Sequence, residues 1–254
     1  MALLHVNYFS EALGVQTPVE VILPEVKQGI GVDAAGEAEL PKVLYLLHGY
    51  SDDQTIWQRR TSVERYAAKY YLAIIMPGVN HSFYCNEEFG EKYWDFVSDE
   101  LPRVMHRFFR LSDKPEDTFV AGLSMGGYGA MKLALNFPER FASAASFSGA
   151  VDIVASSKRH LMNWKRISGG KSIKGTDCDL LHLVKAKADL EKKPRLYVSC
   201  GTADFLYDQH QKFIPLLKKH HWPVTHYEEP DAVHEWGFWD REIRKFITFC
   251  FEEK

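Results

Sequence analysis

The 254-residue sequence predicts an α/β fold in which helices cover both faces of a mostly parallel central β-sheet. Two observations lead to this prediction. Apolar runs at residues 43–47, 72–76 and 195–200 have the length and composition of parallel strands that are buried on both faces. Stretches with helical spacing of apolar residues lie between such runs, and strands that alternate with helices form parallel sheets.

Local patterns justify each element in chain order. Residues 3–24 alternate strand-forming stretches with turn signals, which predicts an antiparallel hairpin at the sheet edge. Residues 25–41 are rich in glycine, alanine and acidic residues and predict an exposed loop. Residues 61–69 begin with the T-x-x-E pattern of a capping box and predict a helix. Residues 94–108 carry apolar side chains at helical spacing, and Pro102 either starts the regular part of that helix or bends it.

The second half of the chain continues the alternation with one interruption. Further strands are predicted at residues 118–121, 141–147 and 224–228, and further helices at residues 130–135, 182–192, 207–220 and 237–251. Residues 152–177 carry six Lys or Arg against two Asp, have weak periodicity and are too long for a simple connection. They predict a lid or an insertion within a single domain that spans residues 1–254.

Residues 122–126, with the sequence GLSMG, match the G-x-S-x-G pattern. A strand-forming run precedes them and a helix-forming run follows, which is the context of the nucleophile elbow in an α/β-hydrolase fold. The serine of such a turn has a strained backbone, so we expect Gly122 and Gly126 to supply neighbours without side chains. The motif therefore predicts that Ser124 is a catalytic nucleophile.

Ser124 needs a histidine and an acid as catalytic partners. In this fold they follow the serine in the order acid, then histidine, and lie beyond the carboxyl ends of strands. Asp204 comes shortly after the strand predicted at residues 195–200, and His234 comes between the last predicted strand and the last helix. These positions predict a triad of Ser124, His234 and Asp204.

Other acids and histidines compete for these roles. Asp208 falls inside a predicted helix, where capping or solvation is the better interpretation, and Asp231 is close to His234 in the sequence. Structural or solvated roles suit the remaining candidates better: His48, His220, His221 and His226.

An oxyanion hole requires two backbone N–H donors. One is predicted at Met125, directly after the nucleophile, and the second at Tyr50 in the loop after the strand at residues 43–47. Each such donor contributes about 3 to 4 kcal/mol of transition-state stabilisation.

Composition excludes several other classes of protein. The chain is 46% apolar and 26% charged with a net charge of −3. It lacks the clustered surplus of basic residues that is typical of nucleic-acid-binding proteins. No apolar run reaches the roughly 20 residues that span a bilayer, and the N-terminus lacks the pattern of a signal peptide. The four cysteines lack metal-site or disulfide spacing: Cys85, Cys178, Cys200 and Cys250. We therefore expect a cytoplasmic protein without a membrane partner or a metal site.

Several long stretches of the chain resemble the tributyrin esterase branch of the esterase D family. They are YLLHGYSDDQTIWQRRTSVER, ELPRVMHRFF, FVAGLSMGGYGAMKLAL, ASFSGA, CGTADFLYD and AVHEWGFW. The resemblance implies an α/β-hydrolase fold, hydrolysis of short-chain acyl esters, a serine triad and no cofactor. Ser124, Asp204 and His234 match the family's catalytic positions, and Tyr50 and Met125 match its oxyanion residues. S-formylglutathione hydrolases and bacterial mycolyltransferases share the fold.

Three functions are compatible with these features. The first is a carboxylesterase for acetyl to butyryl esters, including acetylated sugars or small aromatic esters, with Trp57, Trp94 and Trp236 in its substrate pocket. The second is a thioesterase of the S-formylglutathione type or an acyltransferase, for which the basic residues of 152–177 would bind an anionic substrate. The third is a non-catalytic binding module, which a complete triad argues against. Exposed aromatic residues would also suit a contact between copies of the chain, so a homo-oligomer is a further expectation.

Overall fold

The computed structural model describes residues 1–25 and 40–252. Within these ranges eight strands form one sheet. The strands are β1 (Ala2–Ser10), β2 (Val15–Leu23), β3 (Lys42–Leu47), β4 (Leu72–Pro77), β5 (Thr118–Leu123), β6 (Ser143–Phe147), β7 (Arg195–Gly201) and β8 (Val224–Glu229). Most of the loop predicted at residues 25–41 lies outside the described residues.

Helices connect these strands and close the described part of the chain. They are α1 (Ile56–Arg60), α2 (Val63–Ala68), α3 (Tyr93–Asp95), α4 (Leu101–Phe108), α5 (Met125–Asn136), α6 (Ile153–Ser156), α7 (Leu161–Ser168), α8 (Leu180–Ala186), α9 (Tyr207–Lys219) and α10 (Trp236–Phe251). No helix in the described ranges is both long and apolar enough to cross a bilayer. The cytoplasmic location stays a prediction.

The sheet order is β1-β2-β4-β3-β5-β6-β7-β8. The pairs β1–β2 and β2–β4 are antiparallel, and every other neighbouring pair is parallel. The predicted hairpin is confirmed, with β1 at the edge because β2 also pairs with β4. The predicted mostly parallel sheet is confirmed as well.

Alternate residues of the central strands face two separate hydrophobic layers, as the period of a strand requires. Leu44 and Leu46 of β3 pack in the layer that contains buried residues of α1, α2 and α10. Val43, Tyr45 and Leu47 of the same strand pack in the layer that contains α4, α5, α8 and α9. Helices therefore cover both faces, which explains why the central strands are apolar along their whole length.

Two predicted segments differ in detail from the structure. The helix predicted at residues 94–108 includes a π-helical turn at Phe96–Glu100, and Pro102 is the second residue of α4, which continues directly from that turn. Residues 152–177, which we call the middle segment, contain α6 and α7 and bury Trp164 and Ile167. These helices are too short to give the strong periodicity that would have predicted them.

The strand order opens a crevice between two loops at one edge of the sheet. β3 pairs with β4 on one side and with β5 on the other, so the chain direction across the sheet changes at β3. The loops after β3 and β5 therefore diverge at the carboxyl edge, which is where open α/β sheets bind ligands. Tyr50 lies in the first of these loops and Ser124 in the second.

Candidate active site

Ser124 lies at a sharp turn between β5 and α5 with a backbone φ of +52°. This angle is in the left-handed region, which is strained for a residue with a side chain. A Cβ atom at Gly122 would lie 2.4 Å from the Gly126 carbonyl, and one at Gly126 would lie 2.3 Å from the Leu47 carbonyl oxygen. The turn can form because both flanking positions lack a Cβ atom.

His234 and Asp204 lie at the ends of neighbouring strands. Gly201 at the end of β7 pairs with Glu229 at the end of β8, which brings the two following loops together. Asp204 Oδ2 accepts a hydrogen bond of 2.8 Å from His234 Nδ1–H. Asp204 is 5% exposed, so this bond is shielded from solvent.

The remaining contacts of Asp204 hold it as a carboxylate. Burial raises the pKa of Asp204, but hydrogen bonds from His234, the Leu206 backbone N–H and the Ser148 hydroxyl outweigh burial and leave it below its ordinary value. The Leu206 N–H donates to Oδ1 at 2.9 Å. Trp239 Nε1–H in turn donates to Ser148 Oγ at 3.2 Å and positions that hydroxyl. Asp204 is therefore a buried anion that can stabilise a protonated His234.

The two competing acids make other contacts. Asp208 lies in the first turn of α9, where a carboxylate interacts favourably with the helix dipole. The backbone N–H of Asp231 donates to Thr202 Oγ1, and the Asp231 backbone has a φ of +59°. The hydrogen bond to His234 thus favours Asp204 over both.

His48 has the structural role that the sequence suggested. Its Nδ1–H donates to the Gly49 carbonyl at 2.7 Å, and its Nε2 accepts from the Val79 N–H at 3.0 Å. Burial lowers the pKa of His48 to about 4, so the ring is neutral near pH 7. A neutral ring with both nitrogens bonded to backbone fixes the loop that leads to Tyr50.

Tyr50 and Met125, the predicted oxyanion donors, both follow strands at the carboxyl edge of the sheet. Met125 is the first residue of α5, so its N–H has no acceptor within the helix. Tyr50 follows β3, and the neighbouring strand β5 leads to Met125. Both residues line the cavity that contains Ser124. The Tyr50 ring stacks on His81 with centroids 4.2 Å apart, and its hydroxyl accepts a 2.6 Å hydrogen bond from Asn163.

A cavity of about 530 Å³ opens beside Ser124 and His234. Its apolar wall includes Phe83, Leu123, Met125, Leu206, Trp236 and Trp239, and its polar wall includes Asp52, Arg159, His160 and Glu235. This volume is within the range of small-molecule sites. Burial raises the pKa of Asp52 in this wall.

Of the three tryptophans predicted for the pocket, Trp236 lines the cavity, whereas the predictions for Trp57 and Trp94 are wrong. Trp57 is fully buried in the layer that contains α1, α2 and α10. Its Nε1–H donates to the Leu47 carbonyl, and its ring packs edge-on against Trp236 with centroids 5.3 Å apart. Trp57 therefore packs against a residue of the cavity wall without lining the cavity itself. Trp94 stacks on Phe137 on the other side of the sheet.

The middle segment covers one side of this cavity. Ser156, Arg159 and His160 lie in the cavity wall, and the Arg159 guanidinium is 5.6 Å from the centre of the Phe205 ring. Phe205 is 59% exposed and lies against the His234 ring at 4.6 Å. Sequence reasoning missed Phe205, although its position directly after Asp204 was a signal that could have identified it.

Two other basic residues of the middle segment pair with acids that do not line the cavity. Arg166 pairs with Glu87 and Lys171 with Glu88, each at 2.8 Å. Arg159 is the member of the basic set that reaches the cavity. In the described part of the chain, no group of three or more His, Cys, Asp or Glu side chains is arranged to hold a metal.

The fold and this site define a class of protein: an α/β-hydrolase-fold serine hydrolase with esterase activity. The chain belongs to the Esterase family, described as putative esterases, whose model matches residues 10–246. It is 32% identical to an acetyl esterase of Caldicellulosiruptor saccharolyticus over 99% of this chain and 97% of that protein.

Solved structures agree with this family. The substrate-bound serine hydrolase FphF of Staphylococcus aureus matches with a TM-score of 0.89 and 36% identity, over 99% of both chains. The S-formylglutathione hydrolase FrmB of the same organism matches with a TM-score of 0.86 and 37% identity, also over 99% of both chains. The predicted α/β-hydrolase fold and serine hydrolase class are thus confirmed, while the tributyrin esterase branch stays a prediction.

Proposed function

We propose that this esterase hydrolyses short-chain acyl esters, acetyl to butyryl, through an acyl-enzyme on Ser124. Acetylated sugars and small aromatic esters are the substrate classes that fit the proposal. The observation that carries it is the 2.8 Å hydrogen bond from His234 to the buried Asp204 carboxylate, beside the cavity that Ser124 also lines.

The chemistry follows from the tautomer of His234. Its Nδ1–H donates to Asp204, so Nε2 is the nitrogen that takes the proton of the Ser124 hydroxyl. Ser124 Oγ then attacks the ester carbonyl carbon, and His234 returns the proton to the leaving alcohol. A water molecule repeats the sequence on the acyl-enzyme and releases the carboxylic acid. Asp204 stabilises the imidazolium in both halves of the reaction.

Backbone donors stabilise the oxyanion of each tetrahedral intermediate. The N–H groups of Tyr50 and Met125 are the proposed donors, and α5 adds the positive end of its dipole at Met125. Neither donor is part of a side chain. Substitution of Tyr50 would therefore test its ring contacts rather than its N–H.

Two observations support a small ester as substrate. The cavity of about 530 Å³ is lined by Trp236 and Trp239, and Phe83 and Leu123 add further apolar surface to its wall. An apolar wall of this kind suits a short acyl group. The similarity to a protein named acetyl esterase, over almost the full length of both chains, points the same way.

A series of p-nitrophenyl esters from acetate to octanoate tests the proposal. Wild type should be most active on the short esters and lose activity beyond about six carbons if the apolar wall limits chain length. Ser124→Ala should abolish turnover. Ser172→Ala, which changes an exposed serine away from the cavity wall, should match wild type. Turnover that survives Ser124→Ala would refute the assignment of the nucleophile.

A second candidate function is a thioesterase or acyltransferase of the S-formylglutathione type. The observation in its favour is Arg159, a cation in the cavity wall that could bind a substrate carboxylate. The similarity to the S-formylglutathione hydrolase FrmB also supports it.

Arg159→Gln separates the two candidates. A loss of kcat/KM on S-formylglutathione of tenfold or more, roughly the effect of one charged hydrogen bond, with unchanged activity on p-nitrophenyl acetate, would support the thioesterase. Lys171→Gln removes a cation that pairs with Glu88 and should change neither activity. Unchanged activity of Arg159→Gln on both substrates favours the carboxylesterase.

A further inference from the structure

Two cysteines that are far apart in the chain meet outside the catalytic cavity. Cys85 lies in the loop after β4, and Cys178 lies between the middle segment and α8. Their sulfur atoms are 3.5 Å apart although the residues are 93 positions apart. Both are free thiols; Cys85 is 1% exposed, whereas Cys178 is partly exposed.

A buried lysine adjoins this pair. Lys132 of α5 has 1% of its side chain exposed, and its Nζ lies 3.4 Å from Cys85 Sγ and 3.2 Å from the Tyr84 carbonyl oxygen. The Asp177 carboxylate is farther away, at 4.0 Å. A buried ammonium group requires a negative partner. A Cys85 thiolate supplies that partner within hydrogen-bond distance.

The two thiols differ in acidity. Burial raises the pKa of Cys85, but the hydrogen bond from Cys178 and the charge of Lys132 outweigh burial and lower it to about 6. The hydrogen bond to Cys85 and burial both raise the pKa of Cys178. At neutral pH the negative charge is therefore on Cys85 and the proton is on Cys178.

We propose that Cys85 and Cys178 form a reversible disulfide that peroxide closes and small thiols open. The sulfurs need to approach from 3.5 Å to about 2 Å, the length of a disulfide bond. The Cys85 thiolate attacks one oxygen of hydrogen peroxide, which forms a sulfenic acid on Cys85 and releases hydroxide. The Cys178 sulfur attacks the sulfenic sulfur and expels a second hydroxide. One hydroxide takes the proton of the Cys178 thiol, and the other takes from solvent the proton that Cys85 had already released, so the products are one disulfide and two water molecules.

The reverse reaction uses the difference between the two sulfurs. A thiolate of reduced glutathione attacks the partly exposed Cys178 sulfur, and Cys85 leaves as the thiolate that Lys132 stabilises. A second glutathione then resolves the mixed disulfide and forms oxidised glutathione. Stabilisation of the reduced form makes such a bond easily reducible.

The bond would join two segments that each contribute residues to the cavity wall, although neither cysteine lines the cavity itself. Phe83, two positions before Cys85, lines the cavity and packs against His160 and Trp164 of the middle segment. Cys178 follows the end of that segment, and its carbonyl accepts a 2.8 Å hydrogen bond from the Tyr128 hydroxyl. The disulfide would therefore fasten the end of the middle segment to the loop beneath it.

Mass spectrometry of the full-length protein tests the pair. Hydrogen peroxide should lower the intact mass by about 2 Da, the mass of two hydrogens, with a cross-linked peptide that joins Cys85 to Cys178. Excess reduced glutathione should restore the thiols. The variant in which Cys200 and Cys250 are both Ala should behave like wild type, whereas Cys178→Ser should form no such link. Oxygen addition without the link, a link to another cysteine, or a bond that resists reduced glutathione would overturn the proposal.

The role of Lys132 as a positioning residue has its own test. In mixtures of reduced and oxidised glutathione, Lys132→Met should shift the equilibrium towards the disulfide by about tenfold for each unit by which the pKa of Cys85 rises. An unchanged equilibrium would overturn that role. A second measurement leaves Lys132 unchanged and follows the rate of alkylation of Cys85 against pH in the Cys178→Ser variant. A midpoint of this rate below pH 7 supports the thiolate, whereas a midpoint at about 8.5, the pKa of an ordinary thiol, overturns it.

Discussion

Asp204→Asn is the sharpest test of the proposed triad, because it changes charge and hydrogen bonding but not size. The carboxylate accepts from His234 Nδ1–H at 2.8 Å and from the Leu206 backbone N–H at 2.9 Å. Asparagine has one oxygen for these two donors. The backbone donor is fixed, so we expect the amide oxygen to face Leu206 and the amide NH₂ to face His234.

This arrangement reverses the tautomer of the histidine. With an NH₂ donor opposite Nδ1, the His234 proton moves to Nε2, which can then no longer accept the proton of Ser124. The site is shielded, since Asp204 is 5% exposed, and water cannot easily replace the lost acceptor. We expect kcat to fall by about 10⁴, equivalent to about 5 kcal/mol in the activation free energy.

The assay is kcat and KM on p-nitrophenyl acetate, with thermal unfolding as the control for folding. KM should change little, because Asp204 lies behind His234. Asp208→Asn and Asp231→Asn, which alter the two competing acids, should keep wild-type kcat. Full activity of Asp204→Asn, together with loss of activity in either control, would refute the assignment of the acid.

Four further predictions concern the frame of the site. Gly126→Ala should lower the free energy of unfolding by more than about 2 kcal/mol in urea denaturation, because its Cβ would lie 2.3 Å from the Leu47 carbonyl oxygen. Trp57→Phe should cost about 1 to 3 kcal/mol through loss of its hydrogen bond to the Leu47 carbonyl, without changing the acyl chain-length profile. Trp236→Ala, by contrast, should extend that profile to longer esters. His48 has a folded pKa of about 4, below its ordinary value of 6.5, so the unfolded chain gains a proton first as the pH falls. The free energy of unfolding should therefore drop by about 3 kcal/mol from pH 6.5 to pH 4 through this residue.

Two of these predictions have a matched control variant. Gly237→Ala meets the flexible Glu235 side chain at 3.2 Å rather than backbone and should cost less than about 1 kcal/mol. A changed chain-length profile in Trp57→Phe would contradict its position behind Trp236. His48→Gln should flatten the slope of stability against pH, and an unchanged slope would contradict the neutral state of His48. Some slope should persist, since burial also lowers the pKa of His210 to about 4.

The sequence predicted the positions of Ser124, Asp204 and His234 because each lies in the segment between a strand and the following helix. In a parallel sheet every strand ends at the same edge, so residues distant in sequence are brought to one side by topology alone. Long apolar runs identified the strands, and the G-x-S-x-G motif identified which strand leads to the nucleophile. The distance between His234 and Asp204 required the pairing of β7 with β8, which local patterns do not contain.

The sequence could not predict the direction of the tryptophan side chains. Trp57 is ten positions after Leu47 and lies in the same loop region as Tyr50. Its ring is nevertheless buried in a hydrophobic layer, where it donates a hydrogen bond to the Leu47 carbonyl. Trp94 lies on a helical stretch, and its ring contacts Phe137 and Lys132. Proximity in sequence carries no information about which face of the sheet a helix covers, since both faces are apolar here.

The middle segment shows why substrate choice is harder to predict than catalysis. Its helices have four and eight residues, so few positions repeat and no strong apolar stripe forms. It is held instead by long-range contacts: Glu88 N–H donates to the Ile167 carbonyl, and Phe89 N–H donates to the Arg166 carbonyl. These bonds involve backbone atoms, which leave no signature in the side chains. One side of the cavity wall therefore depends on the part of the chain whose position is least encoded in local sequence, whereas the catalytic residues depend on strand ends that are strongly encoded.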